Sequence, residues 1–351
     1  MENKHIASVV YGISFPCVAI SGRDFKRVVC ANSEAKSFLG DEIEGRHFYT
    51  VFRQPNMIEM IEGVIKSGER KQARMAMSEN RLDTYYDVTC SKIEGQYCLI
   101  TFQDRSEQEQ ILQMRRDFVA NVSHELKSPL AALMGFIETL RSVAKNDAKA
   151  QERFLGIMEA EAQRMNRLVN DLLSLSQVES TERQRPTETI DLSELIEQTV
   201  DVLLPVAQER SVTIRIENHS SLPPNVTGDS DQLRQVFNNL IENAIKYGAQ
   251  DGRVTISVEQ STYLPELLSN GIEVSVSDDG PGIDPEHLPR LAERFYRIDS
   301  HRSRQMGGTG LGLAIVKHII GRHRGLLLVD SVVGHGSKFK VLLPENSSVA
   351  Q

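Results

Sequence analysis

Between Ser106 and about Ala144 the chain carries no glycine or proline before Pro129, and this run constrains the fold more than any other stretch. Within it Phe118, Val122, Leu126, Leu130 and Leu133 recur at helical spacing, with Ile137 and Leu140 continuing the stripe. The pattern predicts one amphipathic helix of roughly 60 Å. Ser106 opens it with a capping-box arrangement, its hydroxyl able to accept an early backbone N–H while Glu109 reaches back. After a polar turn near residues 145–147 a second stripe follows, Phe154, Met158, Ala162, Met165, Leu168, Leu172 and Leu175. Two long helices with a short connection make an antiparallel hairpin that alone buries a single seam. Two hairpins together make a four-helix bundle with a shared core, so the pattern predicts a homodimer through the hairpin.

His124 lies off the apolar stripe and is followed at once by Glu125. A neutral imidazole is a nitrogen nucleophile as well as a base, and a neighbouring carboxylate can take the proton of one ring nitrogen while the other attacks. Pro129 removes a backbone donor and orphans the carbonyl of Glu125, which predicts a kink or weak point beside the histidine. A lone histidine on a helix is ordinarily a solvated surface group, so the rest of the chain has to support any chemistry.

At 351 residues the chain is long enough for two or three domains. A content of 40% hydrophobic and 25% charged residues excludes wholesale disorder. The net charge of −8, without a compensating Lys/Arg stripe, argues against nucleic acid as a partner. Cys17, Cys30, Cys90 and Cys98 form no C-x-x-C pair and sit in strand-like runs. They read as buried thiols of a reducing cytoplasm, not as disulfides or metal ligands. No apolar run approaches the ~20 residues of a membrane span and no signal peptide is visible, so the chain as given reads as soluble and cytoplasmic.

The first part, residues 1–104, reads as mixed α/β. Strands are predicted over 17–20 and 27–31, joined by the turn residues Ser21, Gly22, Arg23 and Asp24. A helix over 32–39 ended by Gly40 follows, then strands over 85–90 and 97–102 separated by Glu94 and Gly95. Residues 105–182 hold the hairpin. Residues 179–189 are polar, contain Pro186 and read as a linker. From Ile190 strands (212–216, 254–258, 272–277, 326–330, 338–343) alternate with helices, predicting a two-layer α/β sandwich in the third part, 183–351. The fold class is therefore multidomain α+β.

That last part carries several segments with chemical meaning. Asp229 caps a helix with Gln232 at the reciprocal position. Along this helix Asn239, Asn243 and Tyr247 recur every four residues beside Lys246, so all can face one cleft. Two amide oxygens suit a magnesium ion that takes its other oxygens from water and phosphate, while the lysine supplies charge to the phosphates. Asp278, Gly280 and Gly282 follow a strand; the aspartate can accept from an adenine amino group and the glycines let backbone approach the base. Gly307, Gly308, Thr309, Gly310, Leu311, Gly312 and Leu313 open a helix over 314–320, offering N–H groups to phosphates, although the spacing is neither a Walker A nor a Rossmann pattern. Between them, residues 285–306 read as a mobile lid with Phe295 as packing anchor and Arg297 within reach of the phosphates. Gly334, Gly336 and Ser337 lie in a final hairpin, where a plain turn is the simplest account.

Taken in order, these segments resemble one family. FVANVSHELKSPL, residues 118–130, resembles the phospho-acceptor helix of sensor histidine kinases, and the asparagine, DxGxG, Phe295-Tyr296-Arg297, GTGLGL and GxGS segments resemble the N, G1, F, G2 and G3 boxes of their catalytic domains. That domain shares its ATP-binding fold with gyrase, MutL and a heat-shock chaperone. The resemblance spans residues 114–343, and the front of the chain resembles a PAS sensor module, a layout similar to phosphate-responsive kinases of the PhoR type. It implies ATP and Mg as cofactors, phosphorylation of His124 with Glu125 accepting the proton, and transfer to an aspartate on a response-regulator receiver domain. It also implies an unidentified signal at the sensor and, in many members, a membrane anchor upstream of it. Ser128 stands where the family more often has threonine or asparagine and keeps a hydroxyl, which makes phosphatase activity toward the regulator plausible; Lys127 replaces the commoner arginine. Rival readings are a phosphatase with a weak autokinase, an ATP-driven clamp on the same nucleotide fold, a noncatalytic ligand-sensing scaffold, and haem binding through His47.

Overall fold

The computed structural model describes residues 2–21, 26–79, 82–93, 96–142, 144–145, 147–180, 185–220, 223–298 and 308–345. They belong to two compact units, Met1–Ala120 and Asn121–Gln351.

In the first unit α1 (Glu2–Tyr11) precedes the strand pair β1 (Cys17–Ser21) and β2 (Val28–Ala31). Helices α2 (Ser33–Leu39), α3 (Phe48–Val51) and α4 (Pro55–Ser67) follow, then strands β3 (Lys71–Glu79), β4 (Leu82–Ile93) and β5 (Tyr97–Asp104). The strands form one antiparallel sheet in the order β2-β1-β5-β4-β3. Asn32 ends β2 and caps α2. Its Oδ1 accepts from Ala35 N–H at 3.0 Å and Cys17 N–H at 2.9 Å, and its Nδ2 donates to the carbonyls of Ile13 and Phe15. This fully partnered amide explains how the chain turns from strand to helix with a polar residue buried. One sheet face packs Val18, Ile20 and Phe102 against Phe48 and Met57; the other buries Cys17, Ala19 and Cys30 with Val10 of α1.

All four cysteines are buried and free, as expected from their strand positions. Burial pushes the Cys17 thiol up to about 12 and the Cys30 thiol up to about 11. His47 is a helix cap: a ring nitrogen accepts from Tyr49 N–H at 3.3 Å and the ring stacks on Phe48 and Tyr49. The haem reading therefore has no support from its surroundings. Helices α1 and α4 and strand β3 were not expected, although Met57, Met60, Ile61 and Val64 recur at helical spacing on the buried face of α4, and Ala73, Met75 and Met77 alternate along β3. The predicted turn residues Gly22, Arg23, Asp24, Glu94 and Gly95 lie outside the described residues.

Helix α5 (Ser106–Arg141) runs unbroken across Pro129, which is buried. The expected capping box does not form. Ser106 Oγ instead accepts from Tyr85 N–H of β4 at 2.9 Å, Ser106 N–H donates to Asp104 at 2.8 Å, and Glu109 pairs with Arg74 at 3.3 Å. A strand N–H and an arginine from the sheet claimed both side chains before the helix could use them.

In the second unit α5 pairs with α6 (Ala148–Ser180), and the rings of Phe136 and Phe154 meet at 5.5 Å across the hairpin. The residues read as a linker include the start of β6 (Glu188–Asp191), which pairs antiparallel with β8 (Asn225–Gly228). The α/β layer pair consists of α7 (Leu192–Glu209), α8 (Ser230–Tyr247) and α9 (Gly312–Arg322) over a sheet ordered β11-β12-β10-β9-β7. Its strands are β7 (Thr213–Asn218), β9 (Arg253–Leu264), β10 (Ser269–Asp278), β11 (Leu326–Val332) and β12 (Gly336–Pro344). All neighbours are antiparallel except β7 and β9. Leu233, Phe237, Ile241, Ile315 and Ile319 from the helices and Ile256, Val274, Val276 and Val341 from the sheet are fully buried.

The cap of α8 is half of what the sequence predicts. Asp229 accepts Gln232 N–H at 3.2 Å, but Gln232 does not reach back, because Asp229 N–H donates to His323 Nε2 at 3.0 Å. His323 Nδ1 donates in turn to Ile319 O at 2.7 Å, and Arg322 pairs with Asp229 at 3.3 Å. A buried imidazole thus ties the start of α8 to the end of α9.

Candidate functional site

Helix α8 presents Asn239 and Asn243 half-buried, and none of the described hydrogen bonds uses their side-chain amides. The start of α9 comes close to them: a Cβ on Gly312 would lie 3.0 Å from Asn239 Oδ1. Lys246 Nζ pairs with Glu242 one turn back at 2.8 Å, and the Lys246 carbonyl accepts from Arg210 at 2.7 Å, fixing the helix end. Tyr247, half-buried, closes α8 beside the next segment.

Asp278 ends β10, and its carboxyl accepts backbone N–H groups from Gly280 at 2.9 Å and from Ser337. Burial pushes its pKa above the usual carboxylate range, and the two N–H bonds oppose that rise. The glycines here are steric requirements. A Cβ on Gly280 would sit 2.9 Å from the Tyr247 carbonyl oxygen; on Gly282, where φ is +71°, it would meet the Val332 carbonyl oxygen at 2.1 Å. Gly334 N–H donates to Pro281 O at 2.7 Å and Ser337 Oγ bonds Ser331 Oγ at 2.9 Å. The final hairpin is therefore bound to the Asp278 loop and is more than a plain turn.

Of the glycine-rich segment, Gly308 to Leu313 are described, and Gly307 lies outside the described residues together with 299–306 of the predicted lid. Gly308, Gly310, Gly312 and Leu313 are half-buried and Leu311 is fully buried. Phe295 N–H donates to Gly310 O at 2.8 Å and Arg297 Nη2 to Thr309 O at 2.7 Å, so the Phe295–Arg297 stretch is laced to the glycines. Thr309 Oγ1 accepts from Leu311 N–H at 3.2 Å and donates to Asp171 Oδ2 of α6 at 2.6 Å. Burial raises the pKa of Asp171, while the Thr309 bond opposes the rise.

On the hairpin His124 and Ser128 are both exposed, one turn apart. Glu125 is turned to the α/β side. Its Oε2 receives Arg164 Nη2 of α6 at 2.8 Å and Arg297 Nη2 at 3.2 Å. The Arg297 side chain is only 7% exposed and its Nε is buried without a partner. Glu125, Arg164, Arg297 and Thr309 line a shallow, open pocket together with Pro129, Met165 and Leu168.

The sequence reading missed Arg164, Asp171 and His323. Arg164, Leu168, Asp171, Leu175 and Val178 share one face of α6 at spacings of four and three, and Leu168, Leu175 and Val178 are buried. Charged residues inside a second apolar stripe were the available signal, and they mark the face that packs against α9.

This geometry matches known proteins. The His Kinase A (phospho-acceptor) domain family matches residues 114–181, and the Histidine kinase-, DNA gyrase B-, and HSP90-like ATPase family matches residues 228–347. The chain belongs to the sensor histidine kinases. It is 37% identical over 351 residues to Sensor protein kinase WalK of Staphylococcus saprophyticus, covering 98% of this chain and 55% of that protein. It is 39% identical over 244 residues to the Phosphate regulon sensor protein PhoR of Pseudomonas aeruginosa, covering 69% of this chain and 52% of that protein. The chain thus spans about half the length of these relatives. The solved histidine kinase ThkA, in complex with response regulator protein TrrA, is similar in fold with a TM-score of 0.53 at 19% identity, covering 97% of this chain and 98% of that one. Among the described residues no helix is long and apolar enough to cross a membrane.

Proposed function

We propose that the chain is an ATP-dependent autokinase that phosphorylates His124 and passes the phosphoryl group to an aspartate of a response-regulator receiver domain. The observation that carries this reading is the 3.2 Å contact of Arg297, from the glycine-laced segment of the α/β domain, with Glu125, the residue next to His124. ATP would lie between α8 and the glycine segment, with Asp278, Gly280 and Gly282 at the base and Gly308, Thr309, Gly310, Leu311, Gly312 and Leu313 at the phosphates. Ser337 supports the Asp278 loop, Tyr247 borders the cleft, and Phe295 anchors the segment that brings Arg297. Magnesium fits the half-buried, unbonded amide oxygens of Asn239 and Asn243 and would neutralise phosphate charge; Lys246 adds to that neutralisation. Transfer needs chiefly alignment and charge stabilisation, so the approach of the α/β domain to His124 is the natural control point.

The hairpin is the homodimer surface in this reading, and the upstream unit the signal input. A strand pair, helices, then three strands in one antiparallel sheet support a PAS-like module there. Phosphate as the signal rests on the PhoR likeness alone, which spans 244 residues, whereas the WalK likeness spans 351. A second activity, hydrolysis of the regulator's phosphoaspartate, is supported by the exposed Ser128 hydroxyl one turn from His124.

The test is incubation with Mg and γ-labelled ATP beside a His124→Ala variant. Acid-labile, base-stable label present only with His124 is the expected result. ATP hydrolysis that persists in His124→Ala without any label would support an ATP-driven clamp instead.

A further inference from the structure

We propose that Arg164 is a positioning residue for phosphoryl transfer, acting through Glu125; this rests on the reading of His124 as the phospho-acceptor. In that reaction a lone pair on one ring nitrogen of His124 forms the N–P bond as the bond from the γ phosphorus to the bridging oxygen breaks. ADP leaves with the electron pair, and the proton on the other ring nitrogen passes to Glu125. A proton acceptor has to be held within hydrogen-bond reach of the proton it takes. A glutamate on a helix surface has three rotatable bonds and no reason to stay there.

Arg164 holds the Glu125 carboxylate in one orientation, on the turn that also carries His124. Its Nη2 donates to Glu125 Oε2 at 2.8 Å, across the hairpin from α6 to α5, with the two side chains only 16% and 19% exposed. Its Nη1 donates to Glu161 Oε1 at 2.9 Å on its own helix, so the planar guanidinium is fixed at both ends. Arg297 also lands on Oε2, at 3.2 Å, and no described contact uses Oε1. One oxygen of Glu125 is thus committed to arginine and the other is left as the acceptor.

The two arginines are not equivalent. Arg297 belongs to the α/β domain and moves with it, and its guanidinium is shared with the Thr309 carbonyl at 2.7 Å. Arg164 shares the hairpin with Glu125, so its contact survives any approach or retreat of the nucleotide. A lysine could reach one carboxylate but could not bridge both with a fixed fork.

The test uses the full chain and compares wild type, Arg164→Gln, Arg164→Lys, Glu125→Gln and the Glu125→Gln/Arg164→Gln double variant. The initial rate of labelling from γ-labelled ATP is followed against ATP concentration and pH, with ATP binding by calorimetry as the folding control. In Arg164→Gln the maximal rate should fall 10- to 100-fold with KM for ATP within twofold. The remaining rate should climb with pH where wild type is level, since solvent base must take the proton. Arg164→Lys should recover part of the loss. The double variant should be no slower than Glu125→Gln, because Arg164 has nothing left to position. An unchanged maximal rate, a loss confined to KM, an unaltered pH profile, or additive losses in the double variant overturn the proposal. A wild-type chain that binds ATP and leaves His124 unlabelled defeats the autokinase reading itself, and this proposal with it.

Discussion

Thr309 donates its hydroxyl to Asp171 at 2.6 Å, which places a carboxylate of the hairpin against the segment that would receive phosphates. Asp171 also lies within the electrostatic reach of Lys246 and Glu242 on α8. A negative side chain beside Lys246 and the glycine backbone occupies the kind of position a phosphate oxygen would take. If phosphates bind there, as proposed, nucleotide and hairpin would compete for the same donors.

Asp171→Ala should consequently tighten nucleotide binding. Removing the charge ends its repulsion of the phosphates and frees the Thr309 hydroxyl, and a gain of about 1.4 kcal/mol corresponds to tenfold in affinity. Calorimetric titration with the magnesium complex of a nonhydrolysable ATP analogue gives the answer. Weaker or unchanged binding would show that Asp171 does not compete with phosphate.

The elements that hold the proposed site residues were legible where a motif repeats over a short stretch. His124, Asn239, Asn243, Asp278 and the Gly308–Leu313 run each sit where the sequence put them, on a helix face, a strand end or a helix start. What remained hidden depends on partners distant in sequence. Ser106 looked like the start of a capping box because Glu109 follows three residues later, yet its hydroxyl is taken by Tyr85 N–H, 21 residues earlier. Gln232 fails to close its box because His323, on another helix, holds the Asp229 N–H at 3.0 Å. Arg164 and Asp171 were hidden because charged residues flanking Leu168 and Leu175 on α6 look like a solvated edge of the hairpin seam until α9 packs over them. A local pattern names the groups a residue can satisfy, and the tertiary fold decides which group reaches it first.

Gly282 tests the packing of the Asp278 loop. Its φ of +71° costs a residue with a side chain about 1–2 kcal/mol, and the added Cβ would meet the Val332 carbonyl oxygen at 2.1 Å, so backbone has to move as well. Gly282→Ala should lower the melting temperature of the α/β domain by at least about 2–4 °C for each kcal/mol lost. Nucleotide affinity should fall with it, because the displaced loop carries Asp278. Gly156, on α6, has open space where its Cβ would go and serves as the control: Gly156→Ala should leave both unchanged or slightly raise stability.

Dimerisation can be tested on residues that a single chain leaves uncovered. Leu130 and Met134 lie one turn apart on α5 and are 51% and 64% exposed, on the stripe that continues to Ile137. A Leu130→Glu/Met134→Glu double variant places charges where the partner hairpin would pack and disturbs little inside one chain. Light scattering after size-exclusion chromatography should report a dimer for wild type and a monomer for the variant, with ATP binding retained. A variant that stays dimeric would move the interface away from this stripe.

His323 gives the α/β domain a dependence on pH whose sign follows from its contacts. Burial lowers its pKa below the ordinary value, and the nearby Arg322 adds to the shift, while the Ile319 carbonyl and Asp229 oppose it. The folded domain needs the neutral ring, because Nε2 accepts the Asp229 N–H and cannot do so once protonated. Between the lowered folded pKa and the unfolded value of about 6.5 the unfolded chain binds more protons, so stability rises with pH there. Its contribution is complete above that window and is lost as pH falls through it. Calorimetric melting of wild type and His323→Gln at pH 7.5 and 5.5 isolates this residue from the other histidines. Wild type should lose more stability than the variant on acidification, although it is the more stable of the two at pH 7.5. Equal losses would mean that the imidazole is not held neutral by the α8 cap.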